Sequence, residues 1–113
     1  MSQIYKLLDA AAWMTALAAG VFKGSAVDEK DGFIHFSDAA QVQETARLHF
    51  HGQSDLVLLS VDACQLGEAL KWEKSRGGAL FPHLYGPLPI AAVIDARLLD
   101  VDADGTPRIG ALT

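Results

Sequence analysis

The stretch LVLLSV, residues 56–61, decides the fold, because it is a continuous apolar run between Asp55 and Asp62. Such a run is typical of a strand that is buried on both faces. We therefore predict that residues 56–61 form a central strand of the sheet, with the other elements arranged around it.

The segment before this strand reads as a strand, a helix and a second short strand. Residues 4–8 have strand character, and Asp9 offers a side-chain cap to a helix over residues 10–19, which Gly20 ends. Trp13 and Leu17 are four positions apart, so they share the helix face that packs on the sheet. Residues 23–32 are predicted as a loop with an Asp31-Gly32 turn, and residues 33–36 as a short strand.

A second helix is predicted over residues 38–50, with Ser37 as its N-cap. Val42, Ala46 and Phe50 are spaced by four positions, which gives this helix an inward stripe. Together with the helix over residues 10–19, it would flank the sheet.

The segment after residues 56–61 reads as strands separated by a rigid loop. Residues 69–74 alternate as a half-buried strand does, so Trp72 and Glu73 face opposite sides. Residues 76–89 are predicted as a Pro/Gly-rich loop, and residues 90–101 as a long strand or a strand pair. We expect one α+β domain over residues 1–113, with a core at 3–101 and a tail at 102–113 that ends in a small hairpin or frays.

Composition narrows the class of function. The chain has 14 acidic and 9 basic residues and a net charge of -5, which opposes the phosphate neutralisation that nucleic-acid binding requires, so we expect no DNA partner. Cys64 is the only cysteine, which excludes an intrachain disulfide and suits a reducing cytoplasm. The apolar run at residues 10–21 resembles a signal peptide, but Lys6 is the only charge of its n-region and Asp9 interrupts it, so we interpret it as a helix. No segment has the ~20 apolar residues of a membrane span, and the sequence does not indicate an oligomeric state.

Two motifs hold the candidate functional residues. In DGFIHFS, residues 31–37, the spacing of His35 and Ser37 puts both on one strand face, where they could meet a ligand hydroxyl. In LFPHLYGPLP, residues 80–89, the prolines stiffen the chain and present Phe81, His83 and Tyr85 as a ligand pocket would need them. The alternative is that both histidines satisfy structural hydrogen bonds and that Ser37 only caps a helix.

Other chemistries have weaker support. Glu73 lies between Lys71 and Lys74, so it is either a solvated strand residue or, if the following loop folds back over it, a site carboxylate. His35 and His83 have no HxH, HExxH or Cys-His spacing, so we predict no metal site. Cys64 has no cationic neighbour in sequence that would activate it.

Four segments together resemble a known family. IYK near the N-terminus, DGFIHFS, LKWE and FPHLYGPLP are similar to the bacterial family called domain of unknown function 952, over about residues 3–100. The resemblance implies a fold similar to the ADP-ribosyltransferase group, with a split mixed, mostly antiparallel sheet and two flanking helices around a nicotinamide-dinucleotide cleft. NAD is then the candidate substrate, and no tightly bound cofactor is implied.

The same resemblance implies roles for individual residues. Enzymes of the larger group break the bond between nicotinamide and ribose through an oxocarbenium-like transition state. His35 and Ser37 would then contact the ribose, and Tyr85 would stack on nicotinamide. Glu73 or His83 would be the polar catalytic group, and Tyr5 and Lys6 would border the cleft.

Two functions therefore remain open. One is an enzyme that handles NAD, ADP-ribose or a related nucleotide, as a transferase or a glycohydrolase-like enzyme. The chain has no Arg-Ser-Glu or His-Tyr-Glu triad in the order of the transferases, which leaves a non-catalytic nucleotide- or metabolite-binding module as the alternative. The enzyme hypothesis requires His35, His83 and Tyr85 to line one concavity, with a carboxylate such as Glu73 within hydrogen-bond reach.

Overall fold

The computed structural model describes residues 2–112, with the side chain of Arg76 left out, so Met1 and Thr113 of the predicted domain lie outside the described residues. The helices are α1 (Ala10–Ala19), α2 (Ala26–Asp31) and α3 (Val42–His49). The strands are β1 (Gln3–Asp9), β2 (Val21–Phe22), β3 (Ile34–His35), β4 (Leu56–Asp62), β5 (Leu70–Lys74), β6 (Leu80–Leu84), β7 (Leu88–Pro89), β8 (Val93–Leu98), β9 (Asp100–Val101) and β10 (Pro107–Arg108). The predicted α+β class is confirmed.

The strands form two three-stranded sheets, in the orders β1-β4-β8 and β3-β6-β5, and two small pairs, β2-β7 and β9-β10. The predicted sheet was mixed, but every strand pair among residues 2–112 is antiparallel. The sheets meet where Tyr5 of β1 and Ser37 exchange backbone hydrogen bonds of 2.8 and 2.9 Å. This junction places the first sheet's edge beside the end of β3.

The prediction of a central strand at residues 56–61 is confirmed, because β4 pairs with β1 on one side and β8 on the other. Val57 and Leu59 belong to a core that includes Ala16 of α1. Leu56 and Leu58 belong to a second core, which includes Val42 of α3. The alternation along β4 therefore supplies both cores.

Helix α1 begins and ends as predicted. The Asp9 carboxylate accepts a 2.7 Å hydrogen bond from the backbone N–H of Ala12, and Gly20 ends the helix with φ 80°. Trp13 packs against the core, but Leu17 is 46% exposed, so the predicted shared buried face is wrong for Leu17. The helix is too rich in alanine for its spacing to define one face.

The prediction of a loop at residues 23–32 is wrong, because most of this segment forms α2. Strand β2 ends directly before it. Ser25 and Asp28 form a capping box at the start of α2. Gly32 has φ 87° and is the C-cap of α2, so the Asp31-Gly32 pair ends a helix instead of forming an isolated turn.

The second predicted helix begins later than expected. Helix α3 starts at Val42, after a turn in which Asp38 and Gln41 exchange backbone-to-side-chain hydrogen bonds. Ser37 is therefore not the N-cap, because its backbone is engaged by Tyr5. The inward stripe of Val42, Ala46 and Phe50 is confirmed.

The predicted loop at residues 76–89 is also wrong, because it contains β6 and β7. Pro82 lies within β6, so the composition that indicates a loop belongs here to a strand in the middle of a sheet. The strand predicted at residues 69–74 is confirmed as β5, although Trp72 is 42% exposed, so the alternation did not identify a buried face. Beyond it, the segment predicted as a long strand or a strand pair contains β8, which pairs with β4, and β9, which forms the small hairpin with β10.

Across residues 2–112, none of the helices is long and apolar enough to cross a membrane. The apolar run that resembles a signal peptide is divided between α1 and β2.

Candidate functional site

A cavity of about 700 Å³ opens beside the junction of the two sheets. Its walls come from β1, β3, β6, α3 and the start of α1, so elements distant in sequence enclose it. Six of the eight predicted site residues line it: Tyr5, Lys6, His35, Ser37, Phe81 and His83. Glu73 and Tyr85 do not line it, and they reach the cavity only through His83.

The register of β3 and β6 brings the two candidate histidines together. His35 and His83 are directly opposed residues, and their ring centroids are 5.6 Å apart. Phe33 lies against both rings, with centroid distances of 4.6 Å to His35 and 4.1 Å to His83, and is 5.3 Å from Tyr85. These groups form one cluster, but the enzyme hypothesis requires His35, His83 and Tyr85 to line one concavity, and Tyr85 lies outside the cavity lining.

Asp28 anchors the side of this cluster that lies deepest in the protein. Its Oδ1 is 2.6 Å from Nδ1 of His35, 3.1 Å from the backbone N of His35 and 3.1 Å from Nζ of Lys6. Its Oδ2 accepts from the backbone and hydroxyl of Ser25 at 2.8 and 3.0 Å and is 3.0 Å from Nζ of Lys6. The carboxylate thus connects α2, β3 and β1.

Burial shifts the pKa values of Asp28 and Lys6 in opposite directions. Burial works to raise the pKa of Asp28, but the hydrogen bond from His35, the charge of Lys6 and the backbone amides outweigh it and hold that pKa well below its usual range. Burial lowers the pKa of Lys6, and Asp28 offsets part of that shift. Asp28 is therefore an anion that compensates the buried cation.

His35 is engaged at both ring nitrogens. Nδ1 meets Asp28, and Nε2 lies 2.9 Å from Oδ2 of Asp31, whose side chain is 40% exposed. Both contacts are hydrogen bonds only when each nitrogen carries a proton, because carboxylates accept and do not donate. His35 consequently lines the cavity as a fixed group that is already paired.

His83 is held from the opposite side of the cavity. Its Nδ1 lies 2.9 Å from Oε1 of Glu73, and the hydroxyl of Tyr85 donates to the same oxygen at 2.7 Å. The hydrogen bonds from Tyr85 and then His83 lower the pKa of Glu73, and Glu73 in turn raises the pKa of Tyr85. An ionised Glu73 fixes the proton of His83 on Nδ1, so in neutral His83 the Nε2 atom is an acceptor.

A hydroxyl pair forms another part of the wall. Ser37 Oγ is 2.9 Å from Thr45 Oγ1, and Thr45 donates to the carbonyl of Gln41 at 3.2 Å. Either hydroxyl can be the donor in this pair, and in both cases Ser37 Oγ keeps a lone pair. The remaining lone pair of the buried Ser37 can accept a hydrogen bond from a ligand.

Metal ligation has no geometric basis within residues 2–112, where no group of three or more His, Cys, Asp or Glu side chains could hold an ion. Cys64 is exposed and lies outside the cavity.

Sequence reasoning missed Asp28, Asp31 and Thr45 as parts of the site, and it placed Phe33 only in a strand. A signal for Asp28 was present, because Ser25 and Asp28 have the spacing of a capping box. The contacts of Asp31, Thr45 and Phe33 depend on the tertiary structure, and the sequence carries no local signal for them.

The fold and cavity define a small α+β protein with a His/Tyr-containing cleft. The chain belongs to the family described as "Protein of unknown function (DUF952)", which it matches over residues 7–96. No curated protein matches it.

Solved structures support this assignment. The chain is similar to the crystal structure of protein CC0527 from Caulobacter crescentus, with 58% identity, 96% of each chain covered and a TM-score of 0.94. It is also similar to the solution NMR structure of CC0527, with 58% identity, coverage of 97% of this chain and 95% of that chain, and a TM-score of 0.87. These relatives share the fold over nearly the whole chain.

Proposed function

We propose that this cavity binds the ribose-containing part of NAD or ADP-ribose, and that the protein is an NAD-handling enzyme with an ADP-ribosyltransferase-like fold. The single observation that carries the proposal is the convergence of His35, Ser37 and His83 on one cavity, with His83 oriented by Glu73. We assign it to the cytoplasm, in keeping with a lone cysteine. The net charge of -5 argues against a nucleic-acid partner.

The size and lining of the cavity fit part of a nucleotide. Its volume of about 700 Å³ lies within the range of small-molecule sites, which are mostly apolar with a few placed polar groups. Tyr5, Phe36 and Phe81 supply aromatic surface for a flat ring such as nicotinamide.

The hydrogen-bonding character of the wall favours a sugar over a phosphate. Ser37 and neutral His83 present acceptors, and Asp31 adds a carboxylate. Lys6 is the cation on the wall, but its charge is compensated by Asp28. Ribose hydroxyls can donate to these acceptors, whereas phosphate oxygens cannot.

The Glu73–His83 pair supplies the acid–base group that turnover requires. The bond between ribose C1′ and the nicotinamide nitrogen breaks, and its electron pair leaves on nicotinamide. Water or an acceptor hydroxyl forms the new bond to C1′, and His83 Nε2 takes the proton that it loses. Glu73 acts through His83 by holding its proton on Nδ1, so it is a positioning residue.

A different observation favours the alternative, a non-catalytic nucleotide-binding module. The carboxylates that line the cavity within the described residues are Asp9 and Asp31. Asp9 already caps α1, and Asp31 already faces His35, so neither is free to stabilise an oxocarbenium ion. The same cavity would then hold the ligand without breaking it.

Binding and turnover can be measured separately on the same set of proteins. We expect calorimetry to show saturable binding of ADP-ribose, which Ser37→Ala weakens by about three- to tenfold through the loss of one hydrogen bond. Ser60→Ala is the matched control, because Ser60 lies on β4 outside the cavity lining. Absence of binding of both NAD and ADP-ribose to the wild-type protein would contradict the proposal.

Release of nicotinamide from NAD distinguishes the two candidates. The enzyme requires release by the wild-type protein and its loss in His83→Gln, with ADP-ribose binding retained. His51→Gln is the matched control, since His51 does not line the cavity. Binding without release identifies the binding module.

A further inference from the structure

We propose that a second copy of this chain docks on the outer edge of β8, so that two β1-β4-β8 sheets join across a two-fold axis at Ala96. The proposal does not rest on the proposed function. It rests on an open strand edge whose residues complement themselves when β8 pairs with its own copy in the antiparallel direction.

The edge strands of the two three-stranded sheets differ in how they are protected against pairing with another chain. The second sheet ends in β5, which carries Lys71 and Lys74, and charged lysines are a common device against edge pairing. The outer edge of β1 is bonded to Ser37. Strand β8 has neither lysine nor proline, and its only strand partner within residues 2–112 is β4. Its register with β4 shifts only at its start, opposite Ser60 and Val61, and is regular from Asp95 to Leu98.

The backbone of β8 presents alternate residues outward. Leu99 donates to the carbonyl of Leu56 at 2.9 Å, so its backbone groups face β4. Because antiparallel strands alternate the direction of these groups, those of Leu98 and Ala96 face away from β4. They are the groups that a second strand would need.

The sequence of β8 is self-complementary about Ala96. An antiparallel copy centred there pairs Ile94 with Leu98, and Asp95 with Arg97, in both directions. The first pair is apolar, and the second joins opposite charges, each of which stabilises a sheet when directly opposed. A two-fold axis at Asp95 would instead place Asp95 opposite its own copy. An axis at Arg97 would place Arg97 opposite its own copy, so neither axis pairs opposite charges.

The exposure of two apolar side chains of β8 supports an interface along this strand. Ile94 is 50% exposed and Leu98 is 66% exposed. Leu98 and Ala96 pair with Val57 and Leu59 of β4, whose side chains lie on the α1 side. Joining two copies would continue this apolar face across the axis and remove exposed surface from water.

Arg97 is preorganised for this contact. Its Nη2 donates to the carbonyl of Ile109 at 2.6 Å, which holds the guanidinium at the sheet. A guanidinium has five N–H donors, so others remain for Asp95 of a second copy.

Sedimentation velocity on the full chain tests the proposal. We expect a species of twice 12.1 kDa and at least roughly tenfold weaker dimerisation in Asp95→Arg, because both symmetry-related charge pairs become repulsive. Asp100→Arg makes the same charge change outside β8 and is the matched control. The double variant Asp95→Arg with Arg97→Asp exchanges the charges and should restore the dimer.

A crosslink tests the register. Opposed residues of a hydrogen-bonded antiparallel pair have Cα atoms about 5.5 Å apart, which a disulfide can span. In a Cys64→Ser background, Ala96→Cys should therefore form a disulfide dimer under mild oxidation, whereas Ile94→Cys alone should not, because its partner is Leu98. Ile94→Cys combined with Leu98→Cys should crosslink again.

The outcomes decide the matter. The proposal is overturned if the wild-type protein sediments as a monomer even at the high protein concentrations used for NMR spectroscopy. It is also overturned by a dimer that Asp95→Arg leaves intact, or by one in which Ile94→Cys crosslinks as readily as Ala96→Cys.

Discussion

Two of the histidines that line the cavity, His35 and His83, are held in contrasting ways. His35 meets a carboxylate at each ring nitrogen, and one of them, Asp28, is buried and also holds Lys6. His83 is held at Nδ1 by Glu73, whose side chain is 39% exposed. The first histidine belongs to a network that joins three elements, and the second is itself buried and is bonded to a partly exposed carboxylate.

Because the two histidines are bonded differently, we expect His35 to contribute to stability and His83 to chemistry. A ring paired at both nitrogens has no site left for a proton from a ligand, so the main role of His35 is to fix the cavity wall. A ring held at one nitrogen by an ionised carboxylate keeps the other for acid–base work. We therefore expect the Asp28 side of the cluster to stabilise the fold and the Glu73 side to carry the proposed acid–base chemistry.

The largest effect should come from the buried carboxylate. Asp28→Asn removes the charge that compensates Lys6, and removing one partner of a buried ion pair costs about 3–5 kcal/mol of unfolding free energy. Urea unfolding followed by tryptophan fluorescence measures this loss. Asp31→Asn is the matched control, because Asp31 is 40% exposed and its contact should contribute no more than about 1 kcal/mol. Equal losses in the two variants would contradict the distinction.

The pH dependence of stability tests whether Asp28 stabilises the fold as an ionised carboxylate. The folded-state pKa of Asp28 lies below its unfolded value, so its contribution is fully present above about pH 4 and declines as the pH falls below that value. We expect the difference in unfolding free energy between wild type and Asp28→Asn to be constant near neutral pH and to narrow in acid. A difference that stays constant down to about pH 2 would mean that Asp28 is not a depressed acid.

A smaller effect should come from the loop that positions Asp28. Gly24 has φ 111°, and a Cβ there would lie 2.9 Å from Cβ of Asp28. Gly24→Ala should therefore cost about 1–3 kcal/mol. Gly32→Ala is the control, because Gly32 also has positive φ but a Cβ there would meet no heavy atom within 4 Å. The larger loss should be at Gly24, in thermal or urea unfolding.

The smallest effect on stability should be on the Glu73 side. Tyr85→Phe removes the strongest influence that lowers the pKa of Glu73, so that pKa should rise toward its ordinary value while the fold is unchanged. A carboxyl-carbon NMR titration measures the shift. Tyr5→Phe is the control, because the Tyr5 hydroxyl bonds Gln3 and not Glu73. An unchanged Glu73 titration would show that Tyr85 does not act on this carboxylate.

Much of the fold was predictable because its strongest signals are local. The apolar run in β4 and the Asp9 and Gly20 caps of α1 were identified correctly, since burial pattern and capping act within a few residues. The prediction of a loop at residues 76–89 is wrong at β6, because Pro82 is typical of a loop but lies here within a strand. The sequence does not predict α2, because this helix has only six residues and its capping box is a short local signal.

The candidate site was predictable in part for the same reason. His35 and His83 stood out because each lies in a short apolar motif, and the structure places them opposite one another. Asp28 could not be assigned to them from the sequence, since its contact with Lys6 joins residues that are 22 positions apart. The sequence is compatible with Ser37 as a helix cap, whereas in the structure the Ser37 backbone pairs with Tyr5.

An NMR titration of the isotopically labelled protein with NAD and ADP-ribose, followed at the imidazole signals, tests whether the cavity binds a nucleotide. We expect saturable shifts at His83 and His35, the larger at His83, and no shift at His51, which lies outside the cavity lining. Signals of His35 and His83 that do not respond to either nucleotide, or that shift no more than His51, would contradict a nucleotide site in this cavity.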